Sequence, residues 1–260
     1  MDKMLSKIEG SIGYLIFNNP EKHNAVSLEM WDATDVILDQ FETNPDVRVI
    51  VLVGAGEKSF VSGADISKFE KERGSAEAAR DYNSRIRAIY ERINQFPKPT
   101  IAQIDGYCLG GGLNLAVCCD IRLCSTKSIF AMPAAKLALG YPFPAIERLM
   151  NAIGESNAKY LMFTADSIDA DTAYRMGFVQ SVHEAGSLED AVRVLGAQIG
   201  DNAPLTIKAM KYISTQVLTE RGKRELKRCD EMVEDCFNSN DYKEGRTAFM
   251  EKRTPVFKGV

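Results

Sequence analysis

The sequence predicts an α/β protein: a mixed strand–helix core over residues 1–201 and a helical C-terminal region over 202–260. Three observations carry this. Apolar strand-like runs alternate with amphipathic stretches up to about residue 200. One run, Val47 to Val53 (VRVIVLV), is apolar enough to be a buried strand. From about Asn202 strand signals vanish and three amphipathic stretches remain, Ala203–Val217, Arg221–Cys236 and Asp241–Lys252.

Each element follows in order. Ser11 to Phe17 reads as a strand that ends in the turn Asn18-Asn19-Pro20. Ser27 has the chemistry of an N-cap for a helix running to about Phe41. After the Val47–Val53 strand, the polar segment Ser67–Ala76 reads as a mobile loop. A helix then runs to about Phe96, with Ile86, Ile89, Tyr90 and Ile93 at helical spacing, and Pro97 and Pro99 stop it. Thr100 to Ile104 is strand-like and Leu113 to Cys118 helix-like. Short strands follow near Ile121–Cys124 and Ile129–Met132. Asp169–Met176 is a helix ended by Gly177, which suits a left-handed cap. Gly177 to Val182 is strand-like, and a surface helix starts near Glu147.

Composition narrows the function. Apolar residues make up 45%, charged residues 26%, and the net charge is −4. An acidic balance argues against a nucleic-acid surface. The basic run Arg221–Arg228 reads as a solvated helix face. No apolar run approaches the ~18–20 residues of a membrane span, and Met1–Gly10 lacks the apolar core of a signal peptide. The expectation is a cytoplasmic protein that binds neither membrane nor nucleic acid. The six cysteines form no C-x-x-C pair and sit mostly in apolar runs, as buried free thiols do. The two histidines, His23 and His183, are isolated from metal-ligand spacing, so no metal site is expected. Gly54-Ala55-Gly56-Glu57-Lys58-Ser59 follows a strand but is not a nucleotide loop. Ser59 stands where a dinucleotide fingerprint needs Gly, and Glu57 where a P-loop needs Gly before its Lys.

The chemistry points to the run Ile104 through Asn114, in which Gly110, Gly111 and Gly112 join a strand-like to a helix-like stretch. Such a turn bares peptide N–H groups at a helix start, where the helix dipole favours negative charge. If that charge is the oxygen of a reacting carbonyl, the turn is half of an oxyanion hole.

Together with Ser59-Phe60-Val61-Ser62-Gly63-Ala64-Asp65-Ile66, the chain resembles the crotonase (enoyl-CoA hydratase/isomerase) family. That family carries S-F-x-x-G-A-D-I and, some 40 residues on, P-x-I-A-x-x-x-G-x-x-x-G-G-G. The second pattern here runs from Pro99 to Gly112. Asn19-Pro20, Asn24-Ala25, Ser27, Cys119 to Arg122, Asp241 to Gly245 and Ala248 to Arg253 are further matches, in order over nearly the whole chain.

The resemblance implies a ββα superhelical spiral with a helical C-terminal trimerisation region, assembled as a homotrimer or homohexamer. It implies an acyl-CoA substrate, with coenzyme A as part of the substrate and no separate cofactor. The oxyanion donors would be the N–H groups of Ala64 and Gly111. Coenzyme A would lie against Lys22 to Ala25 and the turn Ser62, Ala64, Asp65 and Ile66. Phe249 and Lys252 would reach it from a neighbouring subunit, and His23 would flank it. Ser67 stands where many relatives have Lys, so either Lys68 serves instead or the phosphate contact there is lost.

The chain also departs from the pattern. Family hydratases place one Glu two residues after the glycine triplet and another after an F-x-x-P. Here those places hold Asn114 and Ala134, the latter after Phe130-Ala131-Met132-Pro133. Neither carries a proton at neutral pH, so ordinary glutamate-pair hydration is not expected. Tyr141 falls where the methylmalonyl-CoA decarboxylase branch has a functional tyrosine, although that branch has His in place of Ala64. Glu147 is a candidate remote acid. The expected function is a lyase or isomerase working through a thioester enolate, with Asn114 and Tyr141 at its site. The alternatives are a malonyl-type acyl-CoA decarboxylase and a non-catalytic acyl-CoA-binding protein.

Overall fold

A computed structural model describes residues 2–68, 72 and 74–260. The chain opens with an antiparallel hairpin, β1 (Met4–Glu9) and β2 (Ile12–Phe17), followed by helix α1 (Leu28–Thr43). It then winds through three similar turns. In the first, β3 (Val49–Gly54) and β4 (Ser59–Val61) precede α2 (Ala76–Asn94). In the second, β5 (Thr100–Ile104) and β6 (Tyr107–Leu109) precede α3 (Gly111–Cys118). In the third, β7 (Ile121–Ser125) and β8 (Ile129–Ala131) precede α4 (Phe143–Thr164).

The first strand of each turn joins a six-stranded sheet, in the order β1-β2-β3-β5-β7 and then β10 (Ser181–His183). The second joins a four-stranded sheet, β4-β6-β8 and then β9 (Ile168–Asp169). The repeating pairs β3–β5–β7 and β4–β6–β8 are parallel, so the chain advances as a spiral of ββα units. Helices α5 (Ala170–Arg175) and α6 (Leu188–Gly200) complete the core.

The unbroken apolar run of β3 has a physical reason. Val49 and Val51 pack with Leu188 and Val192 of α6, while Ile50 and Leu52 face the main core. A strand covered on both faces has no polar alternation. Buried Arg122 ties the layers together, donating to the carbonyls of Phe178, Ala116 and Cys119. Cys108, Cys118, Cys119, Cys124 and Cys229 are buried free thiols, and Cys236 is half-buried. His183 accompanies Ser181, its Nε2 lying 2.8 Å from the hydroxyl.

Three C-terminal helices follow, α7 (Pro204–Leu218), α8 (Leu226–Asn238) and α9 (Asn240–Glu251), close to the three expected stretches. Lys211 of α7 reaches the core, donating to Lys98 O at 3.0 Å and to Asp120 at 2.7 Å. Asp241, 4% exposed, accepts the N–H groups of Lys258 and Gly259, both at 2.7 Å. No helix among the described residues is long and apolar enough to cross a membrane.

Some expectations need correction. Ser27 does precede α1, but its hydroxyl caps nothing; the Leu28 N–H donates to Glu72 Oε1 instead, at 3.3 Å. The strand expected over Gly177–Val182 shrinks to β10. Gly177 has a φ of +78°, and the buried Arg122 side chain takes the Phe178 carbonyl that a ladder would use. The surface helix starts at Phe143 rather than at Glu147. The expected loop Ser67–Ala76 lies partly outside the described residues, and Ala76 opens α2.

Candidate active site

Two backbone segments meet between the sheets. Gly112 lies so close to β4 that a methyl group there would sit 1.9 Å from Val61 O. Only a residue without Cβ permits that approach. Beyond β4 the chain turns through Gly63 at φ +112°. A side chain at Gly111 would meet Gly63 Cα at 3.5 Å. The Ala64 and Gly111 segments are thereby held side by side.

Hydrogen bonding then leaves both N–H groups free. Val26 bridges Ala64 in parallel, donating to Gly63 O and accepting from Asp65 N–H, each at 2.9 Å. Ala64, between those two, uses neither of its own groups in the bridge. Gly110 N–H donates to Ala131 O at 2.9 Å, and Gly111 begins α3. Neither the Ala64 N–H nor the Gly111 N–H has an acceptor among the described residues. The second also stands at the positive end of a helix dipole.

Neutral polar groups surround this place. Asn114, one turn along α3, is 4% exposed, and its Oδ1 is buried with no partner among the described residues. Tyr141 brings its hydroxyl 4.0 Å from where a side chain at Gly110 would start. Burial pushes the Tyr141 phenol up to about 12. Tyr90, on α2, donates to Gly111 O at 3.0 Å and packs edge-on against Trp31. Burial also raises the Tyr90 phenol well above its ordinary value; Tyr141 and Cys118 add to this and the Asn114 amide opposes it. Ala134 is half-buried against the same core in the short turn Pro133–Leu137. Glu147 is exposed on α4. Sequence reading placed Asn114 and Tyr141 near the glycine turn but took Tyr90 only as part of a helix stripe.

The turn expected to hold coenzyme A is assembled too. Asn24, in a left-handed conformation at φ +55°, donates to the carbonyls of Ala55 and Ser59 and accepts from Asn19 N–H. Asn tolerates that backbone better than most residues. Ser62 N–H donates to His23 O at 3.1 Å, and Asn19 Nδ2 donates to Ala25 O at 2.9 Å. This brings Lys22, Ala25, Ser62, Ala64, Asp65 and Ile66 to one edge.

Lys22 is already engaged there: its Nζ donates to Asp65 at 3.0 Å and to Ser67 at 2.7 Å. Burial pushes the Asp65 carboxyl upward, but hydrogen bonds from Ser67 and Lys22 outweigh it and hold the pKa below its ordinary value. Ser67 therefore belongs to the carboxylate's hydrogen-bond set, and Lys68 is half-buried beside it. His23 stacks edge-on with Tyr107, the ring centres 5.8 Å apart.

Phe249 and Lys252 are not brought to this edge within the chain. Phe249 is 82% exposed and lines a groove of about 910 Å³ between α7, α8 and α9, with Met210, Phe237, Tyr242 and Met250. Lys252 ends α9 in a left-handed cap.

Paired free N–H groups beside a glycine turn in a ββα spiral invite comparison with known proteins. Residues 7–260 match the family model described as enoyl-CoA hydratase/isomerase. The chain is 33% identical over 253 residues to a short-chain-enoyl-CoA hydratase of Clostridium acetobutylicum, covering 97% of this chain and 96% of that protein. It is also 33% identical over 263 residues to a peroxisomal Delta(3,5)-Delta(2,4)-dienoyl-CoA isomerase of Arabidopsis thaliana, covering 96% and 93%. A crystal structure of an enoyl-CoA hydratase from Bacillus anthracis superposes with a TM-score of 0.93 at 30% identity, covering 100% of each chain. Relatives of both reaction types thus match over nearly their whole length, and the chain belongs to the enoyl-CoA hydratase/isomerase family of CoA-thioester enzymes.

Proposed function

We propose that the Ala64 and Gly111 N–H groups bind the thioester oxygen of an acyl-CoA and that the reaction runs through its enolate without a glutamate pair. When the α-carbon loses an electrophile, the electron pair moves toward the thioester oxygen, and the two N–H groups hold the developing charge. One such donor is worth about 3 kcal/mol in catalysis. Lys22, Ala25, Ser62, Asp65 and Ile66 form the edge against which the coenzyme A part lies. Phe249 and Lys252 complete it from a second copy, in a homotrimer or homohexamer built through the helices of 202–260 against the 1–201 core.

The observation that carries this reading is the neutrality around the free Gly111 N–H. Among the described residues, Asn114, Tyr90 and Tyr141 are the polar side chains there, and burial is the only cause of the Tyr141 shift. A nearby carboxylate would have added to it. Efficient hydration needs one group to activate water and another to protonate carbon, each worth about 10²–10⁴-fold. The expected activity is therefore isomerase or lyase chemistry, with feeble hydration of crotonyl-CoA.

The test is a panel of acyl-CoAs followed by mass spectrometry. Crotonyl-CoA hydration should be at least about a hundredfold slower than in the variant Asn114→Glu/Ala134→Glu, which restores both proton carriers. Brisk hydration by the unsubstituted protein would overturn the reading. Binding of acyl-CoAs with no turnover of any panel member would favour a non-catalytic role. Tyr141 supports a second reading, loss of carbon dioxide from a malonyl-type CoA. Its raised pKa keeps it a hydrogen-bond donor that a leaving carboxylate could meet. Methylmalonyl-CoA in the same panel tests it.

A further inference from the structure

One turn of the spiral carries the Gly111 N–H: it enters at β5 and leaves just past the end of α3. Its two ends are stapled to each other. Asp120 Oδ2 accepts the Thr100 N–H at 2.8 Å and the Thr100 hydroxyl at 3.0 Å, while the Asp120 N–H donates back to Thr100 O and Oγ1, each at 3.0 Å. The charge on this clasp is met from outside the core. Lys211 Nζ, on α7, donates to the same Asp120 oxygen at 2.7 Å and to Lys98 O, just before β5, at 3.0 Å. One ammonium thus grips both the entry and the exit of the turn. No other cation pairs with Asp120 among the described residues, and the Lys211 side chain is 12% exposed, so solvent screens the contact weakly.

Helix α3 links the clasp to the oxyanion donor. It is a rod of about 12 Å, with Gly111 at one end and Asp120 two residues beyond the other. Gly112 to Cys118 are all buried. Apolar packing is non-directional and sets the depth of such a rod better than its position along its own axis. Charge-assisted hydrogen bonds are directional and about twice as strong as neutral ones, so they set what packing leaves loose. Arg122 also takes the Ala116 and Cys119 carbonyls at this end, but it lies on β7 directly beyond Asp120 and shifts with it.

We propose that Lys211 is a positioning residue: by gripping Asp120 and Lys98 it fixes α3 along its axis and so aims the Gly111 N–H at the thioester oxygen. The inference rests on the thioester reading above. Its neighbour Met210 lines the groove between α7, α8 and α9, so the helix that walls that groove also sets the glycine turn.

Infrared difference spectra of the intact protein with butyryl-CoA, isotopically labelled at its thioester carbonyl, test this. A carbonyl held by two N–H donors absorbs at lower wavenumber than that of the free ligand. Lys211→Met should lose most of that shift while the Kd for butyryl-CoA stays within about threefold. A residue that only stabilised the fold would lower the melting midpoint and leave the bound carbonyl where it is. Lys211→Arg keeps a cation on Asp120 and should retain the shift. An unchanged shift in Lys211→Met, a shift lost equally in both variants, or loss of butyryl-CoA binding together with the shift would overturn the inference. If Lys211→Met does not fold, Asp120→Asn takes its place: it keeps an acceptor for Thr100 and discards the charge, and an unchanged shift there overturns the proposal. Failure of the unsubstituted protein to bind butyryl-CoA, or to shift its carbonyl, would instead sink the thioester reading itself.

Discussion

Neighbouring glycines at the centre of the site should respond differently to the same methyl group. At Gly112 it would lie 1.9 Å from the Val61 carbonyl, a backbone atom with no freedom to move. Gly112→Ala should cost at least about 1–3 kcal/mol in a urea melt. At Gly111 its nearest neighbour is the Tyr90 hydroxyl at 3.2 Å, which sits on a side chain. Gly111→Ala should keep more of the stability and lose turnover. Asp65 sets an acid limit. Its folded pKa is below the ordinary carboxylate value, so it contributes stability above that ordinary value and loses it as pH falls through the folded one. Lys22→Met should flatten that acid limb of the denaturant midpoint. The change should be small, since Lys22 is 45% exposed. Tyr141 predicts the opposite end: no tyrosine-linked change in kcat/KM until pH approaches about 12. The glycines could be read from the sequence because their requirement is local. Tyr90 could not, because Ile86, Ile89 and Ile93 mark its face as core and its hydroxyl partner lies in another turn of the spiral.

At the scale of elements, legibility followed length and period. The C-terminal helices show amphipathic stretches long enough to read, and the buried strand β3 is apolar throughout. The short strands β4, β6 and β9 are too brief for a period and owe their form to partners elsewhere in the chain. Exposed β1 buries only Met4 and is a strand because β2 pairs with it. The first turn of helix α4 was hidden by Pro142 and Pro144, which stand at its start, where proline's missing N–H costs nothing. The tail after α9 is held by particular atoms. Asp241 receives two of its N–H groups, and Arg48 donates to Phe257 O at 2.6 Å. Asp241→Ala should raise hydrogen exchange at residues 254–260 far more than at β3 or β5. Equal exchange in both regions would mean the tail is held by packing instead.

For the whole molecule, α/β character was legible from the alternation of strands and helices, but the spiral was not. Periodicity says that a strand exists and not which of two sheets it joins. The ordered motifs supplied that, and the match over residues 7–260 agrees with it. The C-terminal helices leave much apolar surface uncovered: Phe249 is 82%, Met250 79% and Leu218 71% exposed. We propose that other copies of the chain cover this surface in a trimer or hexamer, and sedimentation at micromolar concentration should find one. Charge substitutions at Phe249 and Met250 should shift it toward monomer.

The six thiols make the molecule its own reporter of opening. Burial raises the Cys118 and Cys124 thiols to about 12 and pushes Cys108 and Cys119 up as well, so none of these four offers a thiolate to an attacking reagent in the native state. Half-buried Cys236 is more accessible than the five buried thiols, Cys229 included. A chromogenic disulfide added to the native protein should register Cys236 promptly. The four core thiols should then appear together, at the rate at which the layers part, which dates the global transition without any engineered label.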